Sequence, residues 1–365
     1  MAGDGAISKT NLKRILLVLN CLILCIGTTG GPLIIRLYYI HGGKRVWLAS
    51  WLETAAFPVF FIPLAISYIR RRQSWATTTS DGRSGSPAPR PFRMKPILFI
   101  AAVLVGILSG VDNYLYSYGG ARLPVSTSSL IIASQLGFTA FFAFLLVKLR
   151  LTPYSINSVV LLTLGAAVLA LHAGGDRPEG ESNRQYILGF VMMVLAAALY
   201  GFILPLVELS YNKAKQVMTY SLVMEYQLVM CISATIFCTV GMLINKDFQA
   251  IRREAKEFEL GEFKYYLVLV WSGILWQCFF LGTIGVIFCA SSLTSGIIVS
   301  VMLPVTEVLS VIFFKEKFNA EKGVSLFLSL WGFTSYFYGE IKQNKKKNQN
   351  QNQNHETEMN GHIIP

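Results

Sequence analysis

Charged residues are scarce in this chain. They make up 14% of its 365 residues, whereas hydrophobic residues make up 53%, and the mean hydropathy is +0.50. A soluble domain usually carries about 25% charged residues. No lysine or arginine falls in the central part of a long apolar run; the positive charges gather in the connections and at the C-terminus. This composition excludes an ordinary soluble domain and predicts an integral membrane protein whose basic flanks meet anionic lipid headgroups of the bilayer.

Residues typical of metal sites and covalent catalysis are also few. The six cysteines all lie inside apolar runs without metal-type spacing, and the four histidines lie in connections or in the tail. A P-loop, a glycine-rich dinucleotide turn and a nucleophile elbow are missing from the sequence. These absences argue against a disulfide framework, a metal site, ATP-driven pumping and the common enzyme classes, and they predict neither a cofactor nor a catalytic residue. The net charge of +12 does not indicate a nucleic-acid partner, because the basic residues flank apolar spans.

Ten apolar runs are long enough to cross a bilayer as helices. The predicted spans are 14–38, 46–69, 96–119, 123–147, 153–172, 186–208, 222–244, 265–289, 294–317 and 324–341. The remaining predicted segments are a cytoplasmic tail at 1–13, a flexible loop at 70–95, a linker at 174–185, a short amphipathic or irregular surface segment at 246–264 and a disordered tail at 342–365. The sequence therefore predicts an all-α membrane protein.

An internal repeat divides these spans into two halves, 14–173 and 186–341. A constant offset without gaps aligns residue pairs that include Ser128 with Ser295, Ile131 with Ile298, Leu136 with Leu303, Thr139 with Thr306 and Gly165 with Gly332. An odd number of spans in each half inverts the second copy relative to the first. We therefore expect ten transmembrane helices in two inverted five-helix repeats, with both termini cytoplasmic and a binding site near the midplane.

Three acidic residues in the spans are candidates for proton coupling. Glu307 lies near the middle of its span with Pro304, and a carboxylate at that depth must face protein or a water-filled cavity. Burial favours the neutral form, so such a group can carry a proton. The alternative is a structural carboxylate bonded to neighbouring hydroxyls. Glu53 and Asp112 are the other two candidates.

Amide and aromatic side chains on the span faces predict a site for a planar base. An amide offers a donor and an acceptor side by side, which matches the edge of a purine, and an aromatic ring can stack on its face. The alternative interpretation is helix-to-helix contact and packing. The small and polar stripe Gly106, Gly110, Asn113 and Ser117 suits close packing beside a polar cavity. The predicted substrate-binding residues are Asn113, Gln135, Trp276, Gln277, Tyr116 and Thr139.

Several stretches of the chain resemble the plant purine permease family, a branch of the drug/metabolite transporter superfamily. They are Gly30–Leu33, Arg36–Tyr39, His41–Arg45, Asp112–Gly119, Leu123–Ser128, Trp276–Gln277, Phe279–Gly282, Leu303–Glu307, Leu330–Phe333 and Ser335–Glu340. The resemblance implies a ten-helix plasma-membrane carrier that imports adenine-like bases, cytokinins and some alkaloids together with protons. It adds no catalytic set and no cofactor.

The sequence leaves rival functions open. A carrier of the same fold could take nicotine-like alkaloids or vitamin B6 compounds, although the lack of central cations favours neutral or weakly basic solutes over phosphorylated ones. A membrane sensor could bind such molecules without moving them. A membrane-embedded enzyme is the weakest rival, because no cluster of histidine, cysteine and carboxylates with catalytic spacing is visible.

Overall fold

The computed structural model of the chain is built from α-helices. In chain order they are α1 (Ala2–Ile40), α2 (Val46–Ala55), α3 (Phe61–Ser80), α4 (Pro96–Arg122), α5 (Gln135–Val147), α6 (Pro153–His172), α7 (Asn183–Asn212), α8 (Tyr220–Ile244), α9 (Asp247–Glu257), α10 (Glu262–Cys289) and α11 (Ser292–Phe314). The structure describes residues 2–80, 90–123, 128, 131–132, 134–148, 152–172, 182–214, 216–314, 320–321, 323–328, 330–332, 334–339 and 341–342. The described residues from 320 to 342 are also helical.

Seven helical segments are long and apolar enough to cross a membrane within the described part of the chain. They are Asn11–Ile40, Val46–Thr77, Pro96–Arg122, Arg184–Asn212, Tyr220–Ile244, Glu262–Cys289 and Ser292–Phe314. Large apolar side chains such as Ile62, Ile236 and Phe313 are exposed on their outer faces. Exposed apolar faces on helices that satisfy their own backbone hydrogen bonds are what a bilayer requires. The prediction of an all-α membrane protein is therefore confirmed.

The predicted second span is broken rather than continuous. Helix α2 ends at Ala55, and a 3-10 turn at Phe57–Phe60 with Pro58 near its start leads into α3. Proline lacks the backbone N–H that a continuous helix would need at this position. Helix α3 then continues through Arg70–Arg72 to Ser80, so the first residues of the predicted loop are helical. Arginine and glutamine are good helix formers, which explains the extension beyond the apolar run.

The predicted fourth span is also interrupted. Helix α4 ends at Arg122, and Leu123 follows in an extended conformation. The described residues 128 and 131–132 are helical, Ser134 lies in a turn, and α5 begins at Gln135. The Ser134 hydroxyl donates to the carbonyl of Ile131 at 2.5 Å, a local bond that competes with continuous helix. The break places the polar Gln135 at the start of α5.

The other predicted connections differ in how much of them the structure describes. The linker 174–185 lies outside the described residues except for 182–185, where α7 begins. The C-terminal tail lies outside them beyond residue 342, and so does the loop at 81–89. The predicted surface segment contains the amphipathic helix α9.

Ion pairs and hydrogen bonds connect helix α9 to one end of the helix bundle. Arg45, in the connection after α1, lies 3.4 Å from Asp247 and 3.5 Å from Glu254. The hydroxyls of Tyr38 and Tyr265 both donate to the Glu254 carboxylate, at 2.5 and 3.1 Å. Burial raises the pKa of Asp247, and the charge of Arg45 lowers it. These contacts join α1, α9 and α10 at one end of the molecule.

Glycines allow the long helices to approach closely. A side chain at Gly27 of α1 would overlap the backbone of Phe279 in α10, and one at Gly282 would overlap the backbone of Leu24. On α4, Gly106 lies against the backbone of α8 in the same way. The predicted small-residue stripe of α4 therefore does pack closely, as in other membrane helix pairs.

Helix α6 and the helical residues after α11 make a reciprocal contact. Gly165 lies against Ser325 and Leu328, and Gly332 lies against Ser158 and Leu161. The offset that aligns Gly165 with Gly332 also aligns Ser158 with Ser325. The two partners thus exchange equivalent positions across the contact, the pattern that a two-fold relation produces.

Candidate functional site

A cavity with about 520 Å³ of empty space lies between the long helices, and we call it the central cavity. Thr28 of α1, Tyr200 of α7 and Trp276 of α10 line it from near the middles of their helices. The predicted site residues that line it are Glu53, Asp112, Asn113, Tyr116, Gln135 and Trp276.

Two carboxylates from different helices face the central cavity. Glu53 of α2 is 3% exposed and Asp112 of α4 is 8% exposed. The Ser117 hydroxyl donates to Oε1 of Glu53 at 2.9 Å. In the amide orientation that satisfies both of its polar atoms, Asn113 donates to Oε2 of Glu53 at 3.1 Å. The described lining residues include no lysine or arginine, and a buried carboxylate is costly in its charged form.

Aromatic rings also line the central cavity. The ring of Trp276 lies 5.6 Å from that of Tyr116 and 5.4 Å from that of Phe279, both edge to face. The ring of Tyr200 stacks on Phe279 at 5.6 Å, and its hydroxyl lies 3.3 Å from that of Thr283. Such a wall suits a planar, mostly apolar ligand.

Three polar atoms on the walls of the cavity have no hydrogen-bond partner among the described residues. They are Oδ1 of Asp112, Nε2 of Gln135 and Nε1 of Trp276, all buried. An unsatisfied buried polar atom costs about 1–3 kcal/mol, so such atoms rarely persist without a reason. Two are donors and one is a carboxylate acceptor. Their natural partner is a molecule that presents acceptors to the amide and the indole and a donor to the carboxylate.

The other predicted residues lie away from the described lining of this cavity. Gln277 donates to the carbonyl of Thr54 at 2.8 Å, where α2 ends. Thr139 is buried and donates to the carbonyl of Gln135 at 2.9 Å. Glu307 is 3% exposed on α11, about one turn beyond Leu303, which does line the cavity.

Sequence reasoning missed part of the cavity. Thr28, Tyr200, Phe279 and Phe280 line it but were not predicted. Tyr200 lies alone as a polar residue within an apolar run, a signal that could have singled it out. The phenylalanines carry no such signal, because membrane helices contain many of them.

The fold and the cavity define a class of protein. Apolar helices surround a mostly apolar cavity near their midpoints, which two carboxylates and several aromatic side chains line. Buried ionisable groups at this depth mark solute and ion pathways. The arrangement is that of a membrane transporter for small solutes.

Comparison with known proteins identifies the family. Residues 15–346 match the family model described as purine nucleobase transmembrane transport. The chain is 58% identical to purine permease 3 of Arabidopsis thaliana, over 96% of this chain and 97% of that protein. It is 51% identical to purine permease 2 of the same plant, over 92% and 94%. The chain therefore belongs to the purine permease family, whose members are transporters and not enzymes.

A solved crystal structure shares the fold. It superposes with a TM-score of 0.53 at 14% sequence identity, covering 86% of this chain and 95% of the other. At this identity the likeness concerns the fold alone.

Proposed function

We propose that this protein imports adenine and related purines, including cytokinins, across the plasma membrane together with protons. The observation that carries the proposal is the set of unpartnered polar atoms on Asp112, Gln135 and Trp276. A purine such as adenine presents ring nitrogens as acceptors and an amino group as a donor, which complements two donors and one carboxylate. The family relationship supports the same substrate class.

The aromatic wall orients the base. Trp276 offers both a ring face and the Nε1 donor, while Tyr116 meets it edge to face. A cytokinin carries an apolar group on its exocyclic nitrogen, and Phe279 and Phe280 provide apolar lining for such a group. The same surfaces suit pyridine-type alkaloids and vitamin B6 compounds, so competition by these solutes decides between substrates.

Proton coupling is assigned to the acidic residues. Glu53 and Asp112 face one cavity without a described cation, so protonation is the simplest way to neutralise them. Coupling requires only that the protonated carrier binds the base better than the deprotonated carrier does. Glu307 is buried near the same region and remains a third candidate for the proton.

For the architecture we propose ten spans in two inverted repeats, 14–173 and 186–341, that alternate access to the central cavity. Both termini lie in the cytoplasm in this arrangement. The reciprocal contact of Gly165 and Gly332 supports the repeat, because it joins equivalent positions of the two halves. Residues 174–185 would then link the halves.

Uptake of labelled adenine by yeast that lacks its own adenine carrier tests the proposal. We expect uptake that rises with external acidity, collapses with a protonophore and is competed by cytokinin. Glu53→Gln should lose the pH response, whereas the control Glu257→Gln, at an exposed position on α9, should keep it. Surface expression without uptake would refute the import of adenine, and stronger competition by alkaloids or vitamin B6 would change the substrate. Saturable binding without any uptake would indicate a sensor.

A further inference from the structure

A second cavity lies beyond the central cavity towards one membrane face. It has about 410 Å³ of empty space. Along α1, Thr28 lines the central cavity and Tyr39 lines the second one; along α4, Asp112 lines the central cavity and Gly120 the second. In both helices the second cavity is therefore nearer the C-terminal end. It lies between the central cavity and the face at which α1 and α4 end.

Two neighbouring residues of α4 separate the cavities. Tyr116 lines both of them. Ser117 lines the second cavity, and its hydroxyl donates to Glu53 of the central cavity at 2.9 Å. Ser117 is thus the described residue that touches the second cavity and also holds a carboxylate of the first.

The second cavity has polar atoms that can hold water. The Ser128 side chain lines it, is 8% exposed, and its hydroxyl has no partner among the described residues. Tyr39 also lines this cavity, and its hydroxyl donates to the Ser117 carbonyl at 3.4 Å. A buried water needs two to four polar partners, and these groups with Ser117 supply them.

We propose that the second cavity is a water-filled entry for protons and that Ser117 passes them to Glu53. The proposal rests on the proton coupling proposed above. A hydronium ion in the second cavity gives a proton to Oγ of Ser117, while the proton already on Oγ moves to Oε1 of Glu53. One O–H bond at Ser117 breaks and another forms, a new O–H bond forms on Glu53, and a water molecule remains.

Charged and titratable groups surround the relay. Arg36 is the charged side chain among the described residues that line the second cavity. The titratable groups that face Glu53 are Tyr39 of α1, Asp112 and Tyr116 of α4, Tyr200 of α7 and Cys238 of α8.

Three variants of the full chain in liposomes test the relay. The measurements are adenine-driven proton entry, read by an internal pH dye, and adenine-to-adenine exchange without a pH gradient. Ser117→Ala should slow proton entry about tenfold or more, as expected for a lost hydrogen bond to a charged group, and leave exchange near the wild-type rate. Ser117→Thr retains the hydroxyl and should restore proton entry. Ser109→Ala removes another buried hydroxyl of α4 that lines neither cavity and should match the wild type.

The measurements distinguish failure of the Ser117 relay from failure of proton coupling. Proton entry at the wild-type rate in Ser117→Ala overturns the relay. Equal loss of exchange and proton entry in Ser117→Ala, without rescue by Ser117→Thr, also overturns it, because the residue is then only structural. A wild-type protein that exchanges adenine but moves no protons overturns the coupling itself and the relay with it.

Discussion

Replacing Trp276 separates two contributions of one side chain to base binding. Trp276→Phe keeps an aromatic ring but removes the buried, unpartnered Nε1 donor. A hydrogen bond between neutral groups contributes about 0.5–1.5 kcal/mol, so the KM for adenine should rise roughly two- to tenfold with little change in the maximal rate. Trp276→Ala also removes stacking on the base, which contributes about 1–3 kcal/mol, and should raise the KM roughly tenfold further.

The assay is concentration-dependent uptake of labelled adenine, with Trp271→Phe as the matched control. Trp271 lies on the same helix and is 49% exposed on the outside, so its replacement should leave the KM unchanged. Adenine analogues in which C–H replaces one ring nitrogen identify the nitrogen that accepts the indole hydrogen bond. The analogue that lacks this nitrogen should bind the wild type less well than adenine does. Trp276→Phe should bind that analogue and adenine equally well, as a double-mutant cycle requires. An unchanged KM in Trp276→Phe, with every analogue behaving as in the wild type, would refute hydrogen bonding by the indole.

Further predictions concern proton coupling, helix packing and the ion pairs between Arg45 and helix α9. Glu53→Gln should abolish accumulation against a gradient while retaining exchange in counterflow experiments; uphill uptake at the wild-type level would contradict this. Gly282→Val should destabilise the protein by about 1–3 kcal/mol or more in thermal unfolding, because its side chain meets the α1 backbone. Gly137→Val should have a much smaller effect, because an added Cβ there meets the Thr163 hydroxyl at an ordinary contact distance of 3.7 Å. Arg45→Gln should destabilise the fold by about 1–3 kcal/mol at neutral pH. The loss of stability caused by Arg45→Gln should become smaller as the pH falls. Burial raises the pKa of Asp247, and protonation of this residue removes the charge that the substitution leaves unpaired. A loss of stability that is independent of pH would exclude this explanation.

The helical fold was predictable because the apolar runs are long and the charges are excluded from them. The breaks at Ala56 and Ser134 were not predicted, although Pro58 gave a local signal for the first. A run of apolar residues does not distinguish one long helix from two shorter ones. The extension of α3 to Ser80 was missed for a related reason, because polar residues can continue a helix outside the membrane.

The central cavity was predictable in part. Asn113, on the stripe of α4, lines the cavity, and so do the predicted residues Gln135, Tyr116 and Trp276. A stripe does not reveal whether its polar face meets a cavity or another helix. Gln277, next to Trp276 in sequence, instead bonds to the end of α2, which only the tertiary arrangement reveals.

The measurement that tests proton-coupled purine transport most directly is the accumulation of labelled adenine by liposomes that contain the purified protein, with the membrane voltage clamped to zero. We predict accumulation when the interior is alkaline and none without a pH gradient. With one proton per base, a gradient of one pH unit should give about tenfold accumulation at equilibrium. Equal internal and external adenine at every pH gradient, with exchange intact, would contradict proton coupling and leave a passive carrier.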